Sequence, residues 1–211
     1  MRRWLVVLLL LASAGPAGAA DLRVIDEVLA EVASRPVTLS EVTLARALGV
    51  LGLARASGPI TDADLAKYLD AQLVVRESVQ LAVETTAAEV DAAWEKAGGA
   101  ALAARLTAVG VDPAWARRLI ETDLRAERFI DLRFRAFAFV TDFDVDEALG
   151  PGPHDEATRR RTRERLRADM VARAFTAWQE EARQRTPVAR VPGVTGPWPA
   201  PFTLDAGTGR R

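Results

Sequence analysis

Residues 111–137 read VDPAWARRLIETDLRAERFIDLRFRAF, and their periodicity sets the class of fold. Asp112 before Pro113 is a strong helix start: the acid caps, and proline loses nothing by lacking an N–H in the first turn. From there Trp115, Leu119, Thr122, Ala126, Ile130, Arg133 and Phe137 fall on one stripe at steps of three and four. Leu124 and Phe129 widen it. The spacing predicts one long helix from Pro113 to about Phe137.

Toward the N-terminus the same period returns. A short helix is predicted at about 100–109, and another after Thr86-Ala87-Ala88-Glu89, a capping box, ending at Gly98-Gly99. Thr61 with Asp64 opens a helix carrying Leu65, Tyr68, Leu69, Leu73, Val75, Val79 and Leu81. Ser40 is the expected cap of a helix running to about Ala54. Residues 23–39 read as a β-hairpin with Ser34-Arg35-Pro36 as its turn, a short helix at 24–32 being the other reading.

Toward the C-terminus, Gly150-Pro151-Gly152-Pro153 is the clearest break. It separates Asp142–Leu149 from a helix at about 155–185. Val188–Val191 reads as one edge strand, expected to pair with the hairpin. Pro192–Arg211 has four prolines, four glycines and no period, and is expected to be a disordered Pro/Gly-rich tail. The fold class is therefore mainly α, with a small β-sheet built from an N-terminal hairpin and a C-terminal strand.

Residues 1–20 are read apart from the fold. Arg2 and Arg3 precede an apolar run from Trp4 to Ala14, and Ala17-Gly18-Ala19 is a small-residue cleavage pattern. This reads as a secretory signal peptide cleaved before Ala20 or Asp21. A membrane-spanning helix needs about 20 apolar residues, and Gly15, Pro16 and Gly18 interrupt the run. The expectation is a periplasmic or otherwise exported domain over residues 21–192, a tail over 193–211, and no integral membrane segment after cleavage.

Lys and Arg number 28 against 29 Asp and Glu, and without Arg2 and Arg3 the formal charge is about −3. That gives no global attraction for nucleic acid. The chain has no Cys, which removes disulfides, thiol catalysis and thiolate metal sites.

The search for chemistry finds little. His154 is the only histidine and lies in the Gly/Pro break, so it reads as an exposed loop residue. Asp142, Asp144 and Asp146 start like a calcium loop, but Glu147 stands where a glycine is needed and Pro153 where a bidentate Glu is needed. They read as acids favoured by a helix N-terminus. Arg159, Arg160, Arg161, Arg163, Arg165 and Arg167 are interleaved with Glu164 and Asp169 and lack aromatic partners, so they read as a solvated helix face, paired along the helix. No catalytic residue, metal ligand or cofactor is assigned. Most of the aromatics are expected in the core. Helices 61–81 and 113–137, however, are apolar over more than one stripe, enough to leave a groove for a peptide.

The layout resembles the N-terminal domain of the SurA-type periplasmic chaperones, which is related to the peptide-binding part of trigger factor. RVIDEVLAEVASRPVTLSE at 23–41 is similar to the family's opening hairpin and first helix start. Leu106–Phe134, ending in Arg133-Phe134, resembles its helix-turn-helix. Val140–Leu149 resembles its acidic helix start, and Phe175–Val191 its returning helix and closing strand. There are departures: Ser34-Arg35-Pro36 replaces the usual turn, and Leu149-Gly150 a usual tyrosine pair. Only residues 150–154 stand where the family carries parvulin isomerase domains, each on the order of 100 residues. The resemblance implies ATP-independent binding of unfolded or nascent envelope polypeptides, without prolyl isomerase activity. The peptide-binding residues assigned on this reading are Trp94, Trp115, Leu119, Phe129 and Phe134. A structural subunit holding one fixed envelope partner is the alternative.

Overall fold

The computed structural model describes residues 26–204, so the expected signal peptide, the first residues of the hairpin segment and residues 205–211 lie outside the described residues. The order is β1 (Val28–Val32), β2 (Arg35–Thr38), α1 (Leu39–Leu48), α2 (Asp62–Gln80), α3 (Ala87–Ala97), α4 (Gly99–Ala108), α5 (Pro113–Arg133), a 3-10 turn (Arg135–Phe137), α6 (Asp142–Leu149), α7 (Glu156–Arg185) and β3 (Val188–Arg190). The protein is mainly helical, with a three-stranded antiparallel sheet in the order β2-β1-β3. The two ends of the domain meet in that sheet: Ala30 pairs with Arg190, and Val32 with Val188.

The hairpin is formed, and its turn differs from the expected one. Ala33 and Ser34 make the reversal, both at positive φ (49° and 67°). A two-residue turn of this hand matches the twist of the flanking strands. Arg35 and Pro36 therefore belong to β2, where proline is tolerated because β2 is an edge. Thr38, not Ser40, caps α1, its side chain accepting from the Glu41 N–H.

Helix α1 stops at Leu48 rather than near Ala54. Gly49 takes the left-handed conformation (φ 73°) and its N–H returns to the Ala45 and Arg46 carbonyls. The expected caps at Thr61, Thr86 and Asp112 are all in place. A further capping box, Thr141 with Asp144, opens α6. Helix α5 ends at Arg133, and residues 135–137 tighten into a 3-10 turn.

The core lies between the sheet, α1, α2 and α5, with α7 closing one side. Leu29, Val37, Val42, Leu44, Tyr68 and Leu106 are fully buried. Arg183 on α7 donates to both carboxylate oxygens of Asp70 on α2, Nε–Oδ1 at 3.0 Å and Nη2–Oδ2 at 2.7 Å. Planar fork-to-carboxylate geometry of this kind fixes orientation as well as distance.

The segment from residue 193 onward was expected to be a disordered tail, and the described part of it, to residue 204, is packed instead. Trp198 is 4% exposed and exchanges two backbone hydrogen bonds with Ile60, at 2.8 and 2.9 Å. Val194, Phe202 and Leu204 pack on the same core. The segment has no period because it makes a single bridge and lies in no helix or strand; the buried Trp198 is its main anchor.

Candidate functional site

The five residues expected to bind peptide do not form one surface. Trp94 on α3 and Trp115 on α5 are half-buried and packed against the core. Leu119, Phe129 and Phe134 are 6%, 1% and 7% exposed, so they are core residues, not the open groove expected of them. The reason is α7. Its Phe175 and Trp178 close over Phe129 and Phe134, with ring centroids 5.3–6.0 Å apart among the four. Edge-on and tilted aromatic contacts at this spacing add to the area they bury.

Phe129 and Phe134 do, however, floor a cleft of about 630 Å³. Its walls are Leu81 and Val83, just past α2, with Leu132, Arg133, Phe137 and Ala174. The rim is unusually apolar: Leu81 is 55% exposed, Leu132 57% and Phe137 77%. Val79, one turn back on α2, and Phe139 and Phe143, beyond the 3-10 turn, are also largely exposed. Arg133 is the one charged residue of the lining, and its guanidinium carbon sits 5.9 Å from the centres of both Phe129 and Phe134. A cation over an aromatic face is held there by the ring quadrupole. An isolated exposed leucine or phenylalanine is ordinary; several around one depression form an exposed apolar patch.

Phe137, Phe139 and Phe143 were expected mostly in the core and are not. Once α5 ends at Arg133, the helical stripe no longer governs where Phe137 points. Leu81 and Leu132, which the sequence reading did not single out as binding residues, belong to the same rim. Their signal was present as apolar residues at helix ends, where no neighbouring turn covers them.

A second cleft, of about 460 Å³, lies where the hairpin meets α2 and the first half of α5. Its polar wall is a network. Glu41 is buried and accepts from the Arg35 guanidinium and from the Tyr68 hydroxyl, the latter at 2.7 Å. Arg35 also donates to Gln72 Oε1 at 3.1 Å. Burial first, and the Glu41 carboxylate second, push the Tyr68 hydroxyl well above its ordinary range, so it stays protonated and donating.

His154 is half-buried rather than exposed, with Nε2 3.3 Å from the Gly150 carbonyl oxygen. Among the described residues no group of three His, Cys, Asp or Glu side chains converges to hold a metal ion. Asp144 caps α6, while Asp142 and Asp146 are spent on Arg163 and Arg159 of α7. Arg159 and Arg163 of the arginine run thus pair across to α6 rather than along their own helix as expected, while Arg161 donates to Thr158 on its own helix. No protein-family model matches the chain, and no curated protein matches it.

Proposed function

We propose that this protein is a chaperone-like module that binds unfolded or extended polypeptide segments without ATP, outside the cytoplasm. The observation that supports it is the cleft floored by Phe129 and Phe134 and rimmed by exposed Leu81, Leu132 and Phe137. A depression of this size admits one or two apolar side chains, and its open rim imposes little selectivity on the rest of the segment. Holding is then weak and reversible, which a client needs if it is to leave without an energy source. Unfolded envelope polypeptides are the proposed partners; prolyl isomerase activity is no part of the reading. Among the described residues no helix is long and apolar enough to cross a membrane.

The test is suppression of aggregation of unrelated unfolded proteins, followed by light scattering at near-stoichiometric amounts. Wild-type protein delays aggregation, and the double variant Leu132→Ser/Phe137→Ser loses most of that effect with little change in melting temperature, because both side chains are already in water. Undiminished suppression by the double variant shows the cleft is not the contact surface. A wild type that suppresses nothing, yet holds one partner through a standard interface of roughly 1,600 Å², establishes the fixed-partner alternative.

A further inference from the structure

The second cleft is lined by an excess of positive charge. Three guanidinium groups line it, from Arg35 on β2, Arg76 on α2 and Arg125 on α5, against one carboxylate, Glu41. Glu41 is already engaged by Arg35 and Tyr68. Arg125 gives one of its N–H groups to Glu121, on the preceding turn of its own helix, at 2.9 Å. Arg76 makes no hydrogen bond or ion pair among the described residues. Each guanidinium has five donors, so most of the donors facing this space are unspent. Aliphatic side chains from the same two helices line it too: Val75, Val79 and Leu119. A cleft of about 460 Å³ lined both by guanidinium donors and by aliphatic side chains has the make-up of a site for a small amphipathic anion.

We infer that this cleft binds a carboxylate carried on an apolar body, and that its occupant is the C-terminal residue of a bound polypeptide. The carboxylate takes Arg76 and Arg125, fork to carboxylate. The last side chain lies on Val75, Val79 and Leu119. The inference rests on the polypeptide-binding reading above and gives it a direction. Helix α5 borders both clefts, Leu119 in this one and Phe129 in the apolar one. Ten helical residues separate them, roughly 15 Å. An extended chain covers that in about four to five residues. A segment whose last side chain lies on Leu119 therefore brings a side chain four or five positions upstream to the apolar cleft at Phe129.

The test uses calorimetric titration of the full chain at low salt. The probe is a six-residue Gly/Ser peptide with phenylalanine second and leucine last, as free acid and as C-terminal amide. A third titrant, 4-phenylbutyrate, offers the carboxylate without a peptide. The free acid is expected to bind roughly tenfold more tightly than the amide, the worth of a charge-assisted pair. Arg76→Gln, an exposed substitution that leaves the buried network alone, is expected to bring the acid down to the amide. Equal binding of acid and amide by the wild type overturns the carboxylate site and leaves the polypeptide reading standing. Binding of 4-phenylbutyrate, lost in Arg76→Gln, with neither peptide bound, supports the site's chemistry and overturns the polypeptide as its occupant. Failure of all three titrants to bind overturns both.

Discussion

Asp123 on α5 accepts the backbone N–H of Leu51 at 2.6 Å, and so anchors the loop after α1 to the helix at the centre of the fold. Leu51 is itself 2% exposed and at positive φ (54°), a conformation costly for a leucine unless something holds it. Desolvation is the main influence on Asp123, followed by the opposing N–H bond and then the charge of Glu127, and together they raise its pKa from 3.8 to about 6.

That shift has a definite sign. The folded state holds the Asp123 proton more tightly than the unfolded chain does, so Asp123 contributes stability that is full below about pH 4 and lost as pH rises through about 6. Asn keeps the acceptor and cannot ionise. Asp123→Asn should therefore be more stable than wild type at pH 8, by about 1–3 kcal/mol, with the gap closing toward pH 4. Urea melts of both proteins across that range check it; a gap that does not change with pH would contradict the buried ionisation. Asp123→Ala, which leaves the Leu51 N–H unpaired, should be destabilised at every pH.

Arg46 is 6% exposed and organises the connection from α1 to α2. Its guanidinium donates to the carbonyls of Pro59 and Gly58, both at 2.6 Å, and to Asp64 at 2.8 Å. Arg46→Ala should cost about 1–3 kcal/mol, since it leaves the Pro59 and Gly58 carbonyls without their donor, while Asp64 keeps its bonds from Thr61. Arg46→Lys should recover only part of that, because one ammonium cannot reproduce the fork. Denaturant midpoints at constant m-value report both.

Trp198 makes the segment beyond residue 192 part of the domain. Trp198→Ala should cost roughly 3–5 kcal/mol, and truncation after Pro192 at least as much, because it also removes Val194, Phe202, Leu204 and the bridge to Ile60. Truncation after Thr186 should cost more, because it also removes β3 from the edge of β1. Thermal unfolding of the three forms orders them; a Pro192 truncation as stable as the full chain would show that the bridge to Ile60 contributes nothing.

Trp178 is buried at the centre of the aromatic cluster, and its indole Nε1 has no hydrogen-bond partner among the described residues. Trp178→Phe gives up some packing but also removes an unpaired donor, and should fall within about 1 kcal/mol of wild type. Trp178→Ala leaves a cavity and should cost about 3–5 kcal/mol. The contrast between the two melts is the measurement, and a costly Phe variant would mean that the indole N–H has a partner.

The sequence by itself determined the helices, most of their caps and the closing of the sheet. Those features depend on local chemistry: Thr61 with Asp64, Asp112 before Pro113, and a period that either holds or breaks. The pairing of β3 with β1 was legible because two strand-like segments at the ends of a helical chain have no other edge to join. The site was legible only in part. Phe129 and Phe134 were expected on an open apolar face, and they are the buried floor of a cleft instead. Only the tertiary structure decided that, because α7 brings Phe175 and Trp178 over them from about 40 residues away in sequence. The same holds for Trp198, buried by one bridge to Ile60, and for Asp123, an acid on a buried stripe. Periodicity reports which side chains share a face of one helix. What covers that face depends on elements distant in the chain, and no local pattern encodes it.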